Sequence, residues 1–190
     1  MANFSANFPE AIHEMLENIK TKGISKKNFV LEAIKEKLGK KISILVVDDD
    51  DEWREIIIEQ LKDEFLVTGE ATSGSEAIRL YKQEHFSVVI LDVLMPHMDG
   101  VETVKEILAY NPDAVIIILT ALGQIEYALN FGKMGVTDYL VKPFQKDNLI
   151  KRIYEAIWNR YCKHQAAYKK LKTLIKESKE LEEENKEKKD

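Results

Sequence analysis

Residues 42–158 of this 190-residue chain predict an α/β fold, a doubly wound parallel sheet of the (βα)5 kind in a three-layer sandwich. Three observations predict it. Five short runs rich in Val and Ile are mostly continuous rather than alternating, as strands covered on both faces are. A helical pattern follows each run, and parallel strands need such crossovers. Acidic, hydroxyl and lysine residues stand at the carboxyl ends of the runs, where open α/β sheets place their sites.

The first strand is Ile42–Val47, and it ends in Asp48-Asp49-Asp50-Asp51. Trp53–Asp63 is the first helix; Asp50 and Asp51 suit its N-terminal turn, where the macrodipole favours acids. Phe65–Thr68 is the second strand, and Ser73-Gly74-Ser75 opens the helix Ser75–Glu84. Ser87–Leu91 is the third strand, ending in Asp92; the helix Val101–Tyr110 follows and stops at Asn111-Pro112. Ala114–Leu119 is the fourth, ending in Thr120; the helix Gln124–Met134 terminates at Gly135. Tyr139–Val141 is the fifth, ending in Lys142-Pro143, and Lys146 begins the last helix.

Two further units flank this one. In residues 1–41, Phe4, Ala6 and Phe8 alternate with Asn3, Ser5 and Asn7, the mark of a short half-buried strand. Pro9 ends it, and Ile12, Met15, Leu16 and Ile19 repeat at helical spacing up to Lys22-Gly23. Ser25 caps a second helix with Phe29, Val30, Ala33, Ile34 and Leu38 on its apolar face. So small a unit buries little surface alone, and a second copy would complete it. At the other end, residues 148–189 contain no Gly or Pro. Leu149, Ile153 and Ala156 are expected on the sheet, while a heptad stripe continues through Tyr161, His164, Tyr168, Leu171 and Ile175. The extension 159–190 is either a coiled coil or a helix docked on its own domain or a partner.

Charge follows the same division. Residues 1–41 carry 8 Lys/Arg against 5 Asp/Glu, residues 42–158 carry 10 against 21, and residues 159–190 carry 10 against 7. An acidic middle between two basic ends suggests units with different partners. One cysteine, Cys162, excludes an intrachain disulfide scaffold. No apolar run approaches the roughly 20 residues of a membrane span, and the start lacks a secretion-signal layout. A cytoplasmic protein is expected. His13, His85, His97 and His164 show no metal-ligand spacing.

The residues at the strand ends carry chemistry. Several carboxylates at one edge repel unless a cation sits among them, and hard oxygen ligands with water-filled positions suit Mg²⁺. A lysine there neutralises charge and can grip a phosphoryl oxygen; Thr120 can donate to another. Such a site fits phosphoryl transfer, and an aspartate can itself accept the group.

Ile-Leu-Val-Val-Asp-Asp, Leu-Asp-Val-Leu-Met-Pro-His-Met-Asp-Gly, Ile-Leu-Thr-Ala and Asp-Tyr-Leu-Val-Lys-Pro-Phe resemble, in order and spacing, the receiver domain of two-component response regulators across residues 42–158. The resemblance implies a flavodoxin-like sheet, Asp92 as phosphoacceptor, Asp49 as direct Mg²⁺ ligand with Asp48 beside it, and the Leu94 backbone carbonyl and Asp92 as further ligands. It also implies Thr120 as the switch hydroxyl, Lys142 as the lysine on a phosphoryl oxygen, a cis Lys142–Pro143 bond, and Tyr139 as the aromatic switch at the fourth helix and fifth strand. Leu94 and Leu122 are apolar where the family adjusts how fast water attacks the phosphoaspartate.

Phe-Ser-Ala-Asn-Phe-Pro-Glu, a helix, Lys-Gly-Ile-Ser-Lys-Lys-Asn-Phe and Val-Leu-Glu-Ala-Ile resemble the ribbon-helix-helix family over residues 2–38. That resemblance implies a homodimer whose paired strands enter the major groove of double-stranded DNA. Asn3, Ser5 and Asn7 would then face bases, and Ser25, Lys26 and Lys27 would sit near phosphates. The combined expectation is a response regulator phosphorylated on Asp92 by a histidine kinase, with DNA binding as output. The alternative is a signalling adaptor whose N-terminal unit only dimerises. In either case the chain is a switch, not a metabolic enzyme.

Overall fold

The computed structural model describes residues 42–95, 100–121, 125–160, 162, 163 and 166. Asn3, Ser5, Asn7, Ser25, Lys26 and Lys27, all expected to contact DNA, lie outside them, as do Leu122 and most of the extension 159–190. The chain divides into two units, Met1–Ile157 and Trp158–Asp190. In the second, the described residues 158–160, 162, 163 and 166 are helical.

Five strands form one sheet: β1 (Ser43–Val47), β2 (Leu66–Ala71), β3 (Val88–Leu91), β4 (Ile116–Thr120) and β5 (Asp138–Val141). The helices are α1 (Asp51–Leu61), α2 (Gly74–Gln83), α3 (Gly100–Tyr110), α4 (Ile125–Met134) and α5 (residues 146–157). All strand pairs are parallel and the order is β2-β1-β3-β4-β5. This is the flavodoxin-like order expected from the sequence. The winding reverses between β1 and β3, so a crevice opens beyond their carboxyl ends.

Register builds the core in rows. Leu45 pairs with Val89 and Val89 with Ile116; Val47 pairs with Leu91 and Leu91 with Ile118. These rows cluster with Ala77 and Tyr81 of α2, Val104 and Ile107 of α3, and Phe131 of α4. The alternate residues, Ile44, Val46, Val88, Ile90 and Ile117, turn to the opposite face by the two-residue period and are fully buried there. Ile57 and Leu61 of α1, with Leu149, Ile153 and Ala156 of α5, are buried outside the first cluster. Each such Ile or Leu contributes roughly 1.5–3 kcal/mol by leaving water. The continuous apolar runs are thus the signature of a sheet covered on both sides.

Element boundaries differ from the sequence reading mostly by one or two residues, and two of the differences have a clear physical cause. The second strand runs on to Ala71 rather than ending at Thr68. It is an edge strand, and its exposure alternates: Leu66, Thr68 and Glu70 are exposed while Gly69 and Ala71 are buried. Gly69 serves close approach. A Cβ there would meet the Phe86 ring at 2.7 Å and Leu45 at 2.9 Å. The first helix begins at Asp51 rather than Trp53, because Asp50 is its N-cap and accepts from the N–H groups of Glu52 and Trp53. The fourth helix ends as expected. Gly135, at φ +99°, donates to the Gly132 carbonyl while Val136 donates to that of Phe131, the paired bonds of a Schellman terminus.

Candidate functional site

The carboxyl ends of β1, β3, β4 and β5 deliver four buried polar side chains: Asp48, Asp92, Thr120 and Lys142. Parallel register makes this convergence automatic, because every strand ends at the same edge. Lys142 Nζ lies 2.5 Å from Asp48 Oδ2 and 2.7 Å from Asp92 Oδ2. Its side chain is only 4% exposed, and those of Asp48 and Asp92 only 1% and 9%. The other oxygens of both carboxylates are held by backbone. Asp48 Oδ1 accepts from the Asp50 N–H at 3.1 Å, and Asp92 Oδ1 from the Leu94 N–H at 3.0 Å.

Burial decides the electrostatics. It pushes the Asp48 carboxyl above its ordinary value, and the nearby Asp92 charge adds to the rise. The Lys142 ammonium and the Asp50 N–H pull the other way without cancelling it. Two carboxylates therefore share one cation, and their charge is under-neutralised.

The remaining expected residues fall around this centre. Asp49 is exposed at the lip. Leu94 is 48% exposed beside Asp92. Thr120 closes β4, and its carbonyl accepts from the Lys142 N–H at 2.9 Å. The Lys142–Pro143 bond is cis, as the resemblance implied. Tyr139 does not join the cluster at Lys142. Its half-buried ring stacks on Phe131 of α4 at 6.3 Å, on the α4–β5 side of the sheet.

The donors fit a magnesium ion. Carboxylate oxygens of Asp48, Asp49 and Asp92 with the Leu94 carbonyl are hard ligands, and Asp49 gives access to water. Among the described residues no three acidic, His or Cys side chains already form a ligand group. Hard oxygen donors open to water suit Mg²⁺, which keeps several waters when it binds.

Two contributors escaped the sequence reading. Lys142 Nζ sits 4.9 Å from the centroid of the Trp53 ring, and Phe144 lies 6.2 Å from Trp53. Arg54 Nη1 donates to the Asp48 carbonyl at 3.0 Å, and the same guanidinium pairs with Asp51 and with Glu70 of β2. An aromatic and an arginine in the first turn after an acidic pair were the available signals.

Comparison with known proteins agrees with the geometry. The response regulator receiver domain matches residues 44–154. The chemotaxis protein CheY of Halobacterium salinarum is 36% identical over 114 residues, covering 60% of this chain and 95% of that protein. The transcriptional regulatory protein ZraR of Escherichia coli is 39% identical over 116 residues, 61% of this chain but only 26% of that protein. Among solved structures, a Francisella response regulator receiver domain superposes with a TM-score of 0.57 at 32% identity, over 62% of this chain and 97% of its own. The response regulator TrrA of Thermotoga maritima, in complex with Mg²⁺-BeF, superposes at 0.55 with 33% identity, over 60% and 97%. No helix among the described residues is long and apolar enough to cross a membrane. A match over residues 44–154, more than half the chain, with an acidic crevice bridged by Lys142, means that this chain belongs to the response regulator receiver domain family.

Proposed function

We propose that the chain is a phosphorylation-controlled switch in which Asp92 accepts a phosphoryl group from a histidine kinase. The observation that supports it best is Lys142 Nζ held between Asp48 and Asp92. A carboxylate oxygen of Asp92 attacks the phosphorus of a phosphohistidine. The O–P bond forms, the P–N bond breaks, and the electron pair leaves on the imidazole, which takes a proton. Lys142 sits within reach of a phosphoryl oxygen bound to Asp92 and balances its charge. The Leu94 N–H fixes the second carboxylate oxygen and so orients the nucleophile. Asp48, Asp49, Asp92 and the Leu94 carbonyl would hold Mg²⁺, which supplies further neutralisation of phosphoryl charge. Thr120 and Tyr139 would read out the phosphorylated state.

The finer reading concerns output. The strand-and-two-helix pattern of residues 2–38 and the basic balance of residues 1–41 support DNA binding by a dimer, with Asn3, Ser5 and Asn7 at bases. The adaptor reading draws on a different fact: the CheY relative is matched over 95% of its length by this receiver alone. One experiment separates them. Binding sites are selected from a random duplex pool with and without acetyl phosphate and Mg²⁺, using the native chain, Asp92→Asn and an Asn3/Ser5/Asn7→Ala variant. An enriched motif that depends on phosphodonor, and vanishes in both variants, supports the regulator. No enrichment in any state leaves the adaptor.

A further inference from the structure

We infer that Trp53 is a positioning residue for Lys142, and through it sets the rate at which Asp92 is phosphorylated; this rests on the phosphoacceptor reading above. A lysine carries its charge on a flexible four-carbon stem. Its ammonium must be at one place to bridge Asp48 and Asp92 and later meet a phosphoryl oxygen. Two sides of Nζ are fixed by Asp48 Oδ2 and Asp92 Oδ2. The Trp53 ring, with its centroid 4.9 Å from Nζ, supplies a third. That distance is inside the range at which an indole face attracts a cation. The indole offers electron density but no lone pair that would hold the ammonium against transfer. It can therefore keep Lys142 in place while the carboxylate contacts are exchanged for phosphoryl contacts.

Local structure explains how Trp53 gets there. Asp50 caps α1 and accepts from the Trp53 N–H itself at 3.2 Å, which fixes the first turn where the indole starts. Phe144, two residues beyond Lys142, lies 6.2 Å from the Trp53 ring, so an aromatic contact ties the lysine's own segment to the first turn of α1. With water kept from the ammonium, its pairings gain strength.

The test uses the full chain with acetyl phosphate and Mg²⁺, following the acid-labile phosphoprotein over time. Trp53→Leu keeps an apolar side chain and removes the ring face; Trp53→Phe keeps a face. Trp53→Leu should slow phosphorylation about fivefold, and Trp53→Phe should stay within about twofold of native. A second readout needs no phosphorylation. In a Trp158→Phe background, Lys142→Met should shift the emission of Trp53. Equal rates for Leu and Phe, fast or slow, would overturn the inference, because plain packing does not distinguish them. So would an emission unchanged by loss of the cation. If the native chain takes up no phosphoryl group while the emission still shifts, the phosphoacceptor reading is what fails.

Discussion

β1 and β2 lie side by side and each feeds a helix, yet the loops that follow them are built on opposite plans. After β2 the loop closes on itself. Ser73 Oγ accepts from the Glu76 N–H, and the Glu76 carboxylate returns to accept from the N–H and hydroxyl of Thr72. After β1 only Asp50 serves its own helix. One oxygen of the Asp48 carboxylate accepts from the Asp50 N–H, but the other is satisfied by a lysine 94 residues away, and the Asp48 carbonyl by Arg54, which also reaches across to Glu70 of β2. A loop that satisfies itself is scaffold, indifferent to what binds nearby. A loop whose buried charge depends on a distant partner is a place where a ligand can take that partner's role.

Removing the distant partner should have the largest effect. Lys142→Ala leaves Asp48 and Asp92 buried without their cation. The loss is expected to be about 3 kcal/mol at neutral pH without magnesium, the lower end for breaking a buried pair. Adding Mg²⁺ should return part of it, since an ion bound only by the folded chain stabilises it. Urea denaturation with and without Mg²⁺ measures both. An equal loss in the two conditions would break the comparison, because the β1 loop would then have no use for a second cation.

Asp48 carries the next effect, and its sign follows from burial. Its carboxyl is raised above 3.8 in the folded chain, so the folded state holds this proton more tightly than the unfolded one. The stability it adds is complete below that ordinary value and is lost as pH rises through the raised one. In the absence of Mg²⁺, Asp48→Asn should therefore gain stability relative to the native chain as pH climbs from the acid range to neutrality. Denaturation midpoints at several pH values check this; a difference that does not change with pH would mean Lys142 neutralises Asp48 completely.

The contrast between the loops also explains what could be read in advance. β1, β3 and β4 were legible because strands buried on both faces leave an uninterrupted apolar run. The self-contained signals were legible too: Ser73 before its helix, Gly135 after another. β2 runs past Thr68 because Gly69 lets the Phe86 ring and Leu45 pack close against the strand, contacts that its own apolar run does not encode. The four aspartates could be placed at a strand end, with Asp50 and Asp51 at the start of the helix that follows. That Asp48 and Asp92 turn to Lys142 depends on contacts across 94 and 50 residues, which no local pattern encodes. Asp92, Thr120 and Lys142 were legible as polar residues at strand ends, their separate roles came from family resemblance, and the geometry gives Asp92 and Lys142 a physical reason to be together. Trp53 read merely as the start of a helix.

The two smallest predictions set the loops directly against each other. Arg54 is 13% exposed, and its bonds to the exposed Asp51 and Glu70 add little. What counts is the bond to the Asp48 carbonyl, where a charged donor meets a part-buried acceptor. Arg54→Ala should cost about 1–2 kcal/mol and, by loosening the acidic loop, weaken Mg²⁺ binding as well. Ser73→Ala removes a helix cap and should cost about 1 kcal/mol while leaving Mg²⁺ binding and Asp92 phosphorylation untouched. The informative quantity is the ratio between the two effects in each variant, read from urea denaturation and a magnesium titration on the same samples. If Ser73→Ala weakens magnesium binding as much as Arg54→Ala does, the β2 loop is coupled to the crevice. The backbone bond from Asp48 N–H to the Ala71 carbonyl, 3.1 Å long at the foot of both loops, would then be the route.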